Sequence, residues 1–358
     1  MNLLTITWDM GRGLDLGFFT LRYYSLLFAA GFVLGYLLMK RIFRKEGIPL
    51  EKLDTLLTYV VVATIVGARL GHVFFYQWDY YSKHPHEILK VWEGGLASHG
   101  AVVAIIIAII IYSRKVLKKP TLWMLDRLVI TIALAGALIR MGNWFNSEIY
   151  GAVENSTMET VFTNPTRERL LNSFEELASV DFKLTNESII TDSVEFPLYK
   201  MELEFDNTRP IDEKLYRQRV ENTMRIYLND FDKEEKNIII EPGAKLQWDE
   251  DIENRASIKA IGYPRNPTQI YEAIGYFLIF LVLYRIFLNA NLAQRKGFIF
   301  GLFLVLIFGF RFMIEYWKEN QVSSEEGQLL NIGQYLSIPC VLAGLYFMFA
   351  AKPLKENE

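Results

Sequence analysis

Polar and ionisable side chains recur inside the apolar stretches of this sequence, and the densest group surrounds Arg140. In I-R-M-G-N-W-F-N-S-E-I-Y-G, one helical face would carry a cation, an amide, a hydroxyl and a carboxylate if the helix continues that far: Arg140, Asn143, Ser147 and Glu148. A guanidinium is a fixed cation whose planar fork fits phosphate oxygens, and an amide both donates and accepts hydrogen bonds. This face is therefore a candidate site for a phosphate-bearing ligand, with a polar contact between packed helices as the alternative.

Two further motifs could take part in the same chemistry. Arg311 and Glu315 in F-R-F-M-I-E-Y-W are four residues apart, which suits an intrahelical ion pair and also an anion site whose carboxylate holds the guanidinium. His99 follows two glycines in V-W-E-G-G-L-A-S-H-G, and imidazole is the side chain that most readily exchanges a proton near neutral pH. A purely structural histidine is the other interpretation of His99.

A third set of polar residues lies at the ends of apolar stretches: Tyr23, Tyr24, Arg69, Gln269, Tyr271 and Glu272. Tyrosine at such ends commonly anchors a helix at the membrane interface, so Tyr24 is either an anchor or a ligand-binding group. An ionisable side chain within a membrane span costs roughly 2.5–3.5 kcal/mol or more, so the clustering needs a reason. A phosphate that reaches a site inside a membrane most simply belongs to a phospholipid.

The composition of the chain excludes several other classes of protein. The sequence has 358 residues, of which 51% are hydrophobic, 14% aromatic and 22% charged. So much apolar mass excludes a disordered chain, and the single cysteine excludes a secreted domain built on disulfides. The net charge of -3 gives no reason to expect a nucleic-acid partner.

Seven stretches are long and apolar enough to cross a bilayer, since a helical span needs roughly 20 mostly apolar residues. They are Thr20–Met39, Leu53–Tyr76, Gly94–Tyr112, Leu122–Phe145, Pro267–Leu288, Phe298–Trp317 and Ile332–Ala351. Lysine and arginine are concentrated after the first, third, fifth and seventh stretches, which the positive-inside bias places in the cytoplasm. This predicts an outer N-terminus and a cytoplasmic C-terminus. Glycines four apart predict close helix packing, at Gly31/Gly35, Gly67/Gly71 and Gly297/Gly301.

Residues 154–264 interrupt this pattern, because they are rich in polar and charged residues and contain no apolar run of membrane length. V-E-F-P-L-Y-K-M-E-L-E-F and N-I-I-I-E-P favour strands, and Ile211–Asp230 has the spacing of an amphipathic helix. The sequence thus predicts an all-α polytopic membrane protein with seven transmembrane helices and a small α+β extracytoplasmic insert. Its segments are 1–153 with the first four helices, 154–264 as the insert, and 265–358 with the last three helices and a cytoplasmic tail.

The polar motifs, taken in order, resemble those of the bacterial prolipoprotein diacylglyceryl transferases. The matching blocks are R-Y-Y-S-L-L-F-A-A-G-F, G-A-R-L-G-H-V-F-F-Y, V-W-E-G-G-L-A-S-H-G, I-R-M-G-N-W-F-N-S-E-I-Y-G, and N-P-T-Q-I-Y-E followed by F-R-F-M-I-E-Y-W. They cover all the predicted spans, roughly residues 18–153 and 262–351. The chain departs from the family pattern where a histidine, a tyrosine and a glycine are usual, at Asn266, Ile307 and Ala101.

The resemblance implies a transferase that moves the diacylglyceryl group of phosphatidylglycerol to the cysteine thiol in the lipobox peptide of a prolipoprotein. The products would be a thioether and glycerol phosphate, with no metal or other cofactor. His99 would be the base, while Arg140 and Arg311 would stabilise the departing phosphate. The implied substrate-binding residues are Tyr24, Asn143, Glu148, Gly151 and Glu315. The implied location is the bacterial inner membrane, and no nucleic acid is expected as a partner.

Other classes of protein fit the sequence less well. A transporter would also place charged residues near the middle of the membrane, but no internal repeat is evident, and an odd number of spans does not divide into equal halves. An intramembrane serine protease needs a nucleophile beside a base, and the adjacent Ser98 and His99 would point in different directions. A non-catalytic scaffold leaves the polar clusters without a purpose.

Overall fold

The computed structural model describes residues 5–154, 158–206, 221–222, 236–250, 254–318 and 329–352. Within these residues, seven helices are long and apolar enough to cross a membrane, which confirms the predicted spans. They are α1 Tyr23–Lys45, α2 Leu50–Phe75, α3 Ser98–Tyr112 with the π-helical turn Ser113–Leu117 that continues it, α4 Thr121–Asn146, α5 Thr268–Leu288, α6 Phe298–Ile314 and α7 Ile332–Ala350. A short 3-10 turn, Glu315–Trp317, extends α6.

The helices α1 and α3 begin later than the predicted spans, and α1 ends at Lys45 rather than at Met39. Three short strands precede α1, namely β1 Ile6–Trp8, β2 Gly13–Asp15 and β3 Thr20–Arg22. β2 and β3 pair as an antiparallel hairpin, so α1 starts after Arg22 rather than at Thr20. Gly94 and Gly95 have φ angles of 90° and 65°, a left-handed backbone that favours glycine, and α3 starts only at Ser98. Hydropathy alone does not register either feature.

The insert is built on an antiparallel sheet. Its strands are β5 Leu177–Thr191, β6 Val194–Phe205, β7 Ile238–Ile240, β8 Gln247–Trp248 and β9 Arg255–Gly262. β6 lies between β5 and β9, and β9 also pairs with β7 and β8. Alternate residues of β6 are buried in the core of the insert, with Leu170 from the helix Asn164–Ser173 in the same core. β4 Thr160–Phe162 pairs in parallel with β1.

The strand predictions for the insert are confirmed. V-E-F-P-L-Y-K-M-E-L-E-F is β6, and the isoleucines of N-I-I-I-E-P form β7. The predicted helix Ile211–Asp230 lies outside the described residues, apart from Glu221 and Asn222.

The chain forms two compact units, each assembled from separate stretches of sequence. Unit 1 comprises Met1–Phe28, Ile139–Ile274 and Arg311–Leu336, and unit 2 comprises Ala29–Leu138, Gly275–Phe310 and Ser337–Glu358. Unit 1 therefore contains the insert and one end each of α1, α4, α5, α6 and α7. Unit 2 contains α2 and α3 and the remaining parts of the other helices. The segment boundaries at residues 153/154 and 264/265 stay a prediction.

Small residues let helices of unit 2 approach closely, as the glycine spacing predicts. A Cβ added to Gly71 of α2 would lie 2.7 Å from the Cα of Gly100 in α3. A Cβ added to Gly301 of α6 would lie 2.6 Å from the carbonyl oxygen of Gly344 in α7. Gly297 serves another purpose, because its φ of 84° makes it a left-handed turn residue just before α6.

Asp126 and Arg127 are structural residues of unit 2. Both are buried, and the Asp126 carboxylate accepts hydrogen bonds from the backbone N–H groups of Gly297 and Phe300 at 2.7 and 2.8 Å. The carboxylate thereby satisfies free donors at the start of α6 and complements its dipole. The Arg127 guanidinium pairs with Glu46 at 3.0 Å and stacks over Trp123.

Candidate active site

The last two turns of α4 position Arg140 and Asn143, and the chain then leaves the helix. α4 ends at Asn146, and the φ angles of Ser147 and Ile149 are 54° and 58°. The helical face predicted through Ser147 and Glu148 is therefore wrong beyond Asn146, because the left-handed backbone turns the chain out of the helix. Gln269 of α5 holds the departing chain by donating to the Glu148 carbonyl at 2.8 Å.

The Glu148 carboxylate returns to α4 despite this turn. Its Oε1 atom accepts hydrogen bonds from the Nδ2 atoms of Asn143 and Asn146, at 2.8 and 3.2 Å. Tyr24, near the start of α1, lies within electrostatic reach of both Glu148 and Arg140. The sequence therefore predicts the right residues for this polar group, although a turn after the helix, rather than the helix itself, brings Glu148 to it.

Arg140 forms an ion pair with Glu272 of α5. The Nε atom of Arg140 lies 3.2 Å from Oε2 of Glu272, and the Glu272 side chain is fully buried. The sequence marks Glu272 as a polar residue at the end of a span but does not pair it with Arg140. A carboxylate buried in this way needs a compensating charge, which Arg140 provides on one side.

A buried lysine provides the compensating charge on the other side of Glu272. The Nζ atom of Lys318 lies 3.2 Å from Oε1 of Glu272 and 3.2 Å from Oε1 of Glu315. Only 2% of the Lys318 side chain is exposed. From sequence, Lys318 counts only as a charge in a connector. Two features of the sequence could have indicated that it pairs with Glu315: its spacing of three from that residue and its position directly after an apolar helix.

Glu315 connects Lys318 to the second arginine. Its Oε1 atom lies 3.5 Å from Nε of Arg311, which confirms the ion pair predicted from the spacing of four. Asn331 donates to the other carboxylate oxygen of Glu315 at 3.3 Å, and a Cβ at Gly333 would lie 2.7 Å from the Glu315 Cδ atom. Glu315 is thus fixed from several sides, whereas 37% of the Arg311 side chain is exposed.

Together these contacts form an alternating series of charges, here named the charge chain: Arg140, Glu272, Lys318, Glu315 and Arg311. Three cations and two carboxylates give it a net charge of +1, and all of its members belong to unit 1. Each end is a guanidinium held by a carboxylate. Such an arrangement can bind an anion without the cost of reorganising the cations during a reaction.

Gly151 and Gly142 allow close backbone packing around the charge chain. Gly151 forms an antiparallel bridge with Lys318, and a Cβ at Gly151 would lie 2.6 Å from both the Trp317 carbonyl oxygen and the Asn266 Cβ. A Cβ at Gly142 would lie 2.7 Å from Cδ2 of Tyr24. The structure therefore gives Gly151 a packing role, and its predicted contact with substrate stays a prediction.

His99 and Arg69 lie in unit 2. The His99 ring at the start of α3 is exposed and contacts Phe75 and Tyr76, with centroid separations of 4.9 and 5.7 Å. The Arg69 guanidinium donates to the backbone carbonyls of Glu87, Ile88 and Gly94 at 2.7–2.9 Å. Arg69 therefore fixes the loop that precedes α3.

A family profile described as "Prolipoprotein diacylglyceryl transferase" matches residues 13–350 of the sequence. The chain belongs to the prolipoprotein diacylglyceryl transferase family. A phosphatidylglycerol–prolipoprotein diacylglyceryl transferase of Tolumonas auensis is 35% identical over 344 residues, which cover 96% of both chains.

Two further relatives carry the same description. That of Chloroherpeton thalassium is 30% identical, covering 99% of this chain and 97% of the relative. That of Porphyromonas gingivalis is 34% identical, covering 97% of this chain and 94% of the relative. As a member of the prolipoprotein diacylglyceryl transferase family with seven apolar helices, the chain is a transferase and a multi-pass bacterial membrane protein.

Proposed function

We propose that this transferase moves the diacylglyceryl group of phosphatidylglycerol to the lipobox cysteine of a prolipoprotein. The cysteine sulfur forms a bond to the terminal glyceryl carbon of the lipid while the bond from that carbon to the phosphate oxygen breaks. The thiol proton passes to a base, and glycerol phosphate leaves. Family membership and the descriptions of the relatives support this reaction. Neither supports the transporter alternative.

The observation that carries the proposal is the pair of arginines at the two ends of the charge chain. As the carbon–oxygen bond breaks, negative charge grows on the departing phosphate. Arg140 and Arg311 each have a guanidinium held by a buried carboxylate, through Glu272 and Glu315, so each remains oriented before the lipid arrives. The Arg140 side chain is only 15% exposed, and limited access of water makes its attraction for the phosphate stronger than it would be in solution.

The neighbouring polar groups suit the rest of the lipid head. Asn143 and Glu148, joined by a hydrogen bond of 2.8 Å, can hold a glycerol hydroxyl or a phosphate oxygen. Tyr24, beside them on α1, supplies a hydroxyl at the edge of the same group. The Gly151 N–H donates to the Asn266 carbonyl at 2.8 Å and so fixes the chain that follows Glu148.

His99 is our candidate for the base that takes the thiol proton. A thiol is a weak nucleophile until it is deprotonated, and imidazole accepts a proton near neutral pH. The exposed position of the His99 ring leaves it accessible to a peptide. This assignment rests on the chemistry of the side chain and on the family motif around it.

We also propose the bacterial inner membrane as the location, with the N-terminus outside and the C-terminus in the cytoplasm. The support is the concentration of lysine and arginine in the connectors that this topology places in the cytoplasm. The insert joins α4 to α5, so this topology places it outside, where a translocated prolipoprotein presents its lipobox peptide.

The test is a transfer assay with the purified full-length protein. It is reconstituted in vesicles containing phosphatidylglycerol and incubated with a lipobox peptide, whose mass is then measured. A peptide heavier by one diacylglyceryl group supports the proposal, and a peptide with serine in place of cysteine must stay unmodified. Solute flux across the vesicle without peptide modification would instead support a transporter.

Arg140 variants test the observation that carries the proposal. Arg140→Ala removes the cation and Arg140→Lys removes the planar fork, so both should abolish transfer. Arg285→Ala is the matched control, because Arg285 is an exposed arginine in the last turn of α5. Undiminished turnover in Arg140→Ala would refute the role of Arg140.

A further inference from the structure

Lys318 is the most deeply buried cation of the charge chain. Its side chain is 2% exposed, against 15% for Arg140 and 37% for Arg311. Its ammonium lies between two carboxylates at equal distances of 3.2 Å, so these two groups of the protein compensate its charge. A cation placed in this way is poorly accessible to a lipid phosphate but well placed to control the groups that are accessible.

The backbone fixes Lys318 as firmly as its side chain does. Lys318 forms an antiparallel bridge with Gly151, and the neighbouring Trp317 carbonyl accepts a hydrogen bond from the Ala152 N–H at 2.9 Å. The chain that follows α6 is therefore attached to the chain that follows α4. The contact that requires glycine at position 151 therefore also fixes the backbone from which the Lys318 side chain extends.

We propose that Lys318 is a positioning residue that sets the places of both arginines through Glu272 and Glu315. Glu272 uses one oxygen for Lys318 and the other for Arg140, so the ammonium fixes which way that carboxylate faces. One oxygen of Glu315 contacts both Lys318 and Arg311. The ammonium therefore neutralises part of the carboxylate charge that would otherwise attract Arg311. This inference rests on the proposed function, because the distance between the arginines matters only if both bind one anion.

Removal of the ammonium has a definite physical consequence. The two carboxylates would then face each other without a cation between them, and their repulsion would move them apart. Glu272 would keep its contact with Arg140, Glu315 would keep its contacts with Arg311 and Asn331, and the net charge of the charge chain would fall from +1 to zero. Both changes weaken the binding of an anionic lipid head group, whereas neither affects a peptide thiol directly.

The experiment measures transfer kinetics for Lys318→Met and Lys318→Arg, with Lys259→Met as control. Lys259 also pairs with a glutamate, Glu187, at 2.9 Å, but this pair is exposed on the insert. Because a displacement of about 1 Å at a reacting centre can cost about 100-fold in rate, Lys318→Met should lower kcat/KM for phosphatidylglycerol by that order. The KM for the lipid should rise and the KM for the peptide should stay unchanged. Lys318→Arg should recover most of the loss, and Lys259→Met should behave as the wild type.

A purely structural role for Lys318 would give a different result. Partial unfolding lowers the apparent kcat and leaves both KM values unchanged, and that outcome would overturn the proposal. Wild-type kinetics in Lys318→Met would also overturn it. If Lys318→Met does not fold, Lys318→Gln is measured in its place, with the same expectations.

A binding measurement separates this inference from the proposed function. Glycerol phosphate should raise the melting temperature of the wild type and of Lys318→Arg, but not that of Lys318→Met. Absence of transfer by the wild type, with this pattern of binding intact, would refute the proposed function and leave the positioning role supported. Equal stabilisation of all variants by glycerol phosphate would refute the positioning role.

Discussion

Replacement of Glu272 by glutamine is the sharpest single perturbation of the charge chain. The side chain keeps its shape but loses its charge, while Arg140 and Lys318 keep theirs at 3.2 Å from its two oxygens. At that distance and an effective dielectric of about 20, each contact contributes a gross attraction of about 5 kcal/mol. Removing one partner of a buried ion pair commonly destabilises a protein by about 3–5 kcal/mol, since a buried charge is left uncompensated.

The expected result for Glu272→Gln has two parts. The melting temperature of the purified protein should fall, because the buried Lys318 and the partly buried Arg140 lose their shared carboxylate. The transfer rate of the protein that remains folded should fall by about 100-fold or more, because the Arg140 guanidinium is no longer held in one place. The melting temperature is measured by thermal unfolding, and the transfer rate is measured below the melting temperature of the variant, in the vesicle assay with phosphatidylglycerol and a lipobox peptide.

A matched control separates loss of a buried ion pair from loss of the site. Glu46→Gln removes the carboxylate that pairs with the buried Arg127 at 3.0 Å, in unit 2. Glu46→Gln should lower the melting temperature but not the transfer rate of folded protein. Wild-type transfer by Glu272→Gln, or equal rate losses in the two variants, would show that the charge chain does not set the position of Arg140.

Two further predictions concern other parts of unit 1. Gly142→Ala should displace Tyr24 and lower transfer, because the added Cβ would lie 2.7 Å from the tyrosine ring. Gly309→Ala should leave transfer unchanged, because the added Cβ meets no neighbouring atom within 4 Å among the residues that the structure describes. Equal rates in the two variants would exclude a role for that contact. Burial raises the pKa of the Glu159 carboxyl above its ordinary value of 4.5, so wild-type stability should fall as the pH rises from 4.5 through the higher value of the folded state. Glu159→Gln should therefore melt at a higher temperature than the wild type at neutral pH. Thermal unfolding should show that this difference in melting temperature disappears below pH 4.5. A difference that does not depend on pH would contradict the assignment to this carboxyl.

The positions of the seven helices could be predicted because hydropathy is a property of the local sequence. The same holds for the ion pair of Arg311 with Glu315, since residues four apart on a helix are neighbours whatever the rest of the fold does. The prediction of a helical face through Ser147 and Glu148 is wrong, because a left-handed backbone at Ser147 ends α4. Hydropathy and side-chain spacing contain no information about that turn.

By itself, the sequence determined the membrane helices, the strands β6 and β7, and the types of the residues that can bind a phosphate. The tertiary structure alone decided that Arg140 pairs with Glu272 rather than with Glu148, and that Lys318 lies between two carboxylates. The physical reason is that such pairs join α4, α5 and the end of α6, which are far apart in the sequence. A buried charge takes the partner that helix packing brings within about 4 Å, and packing depends on the whole chain.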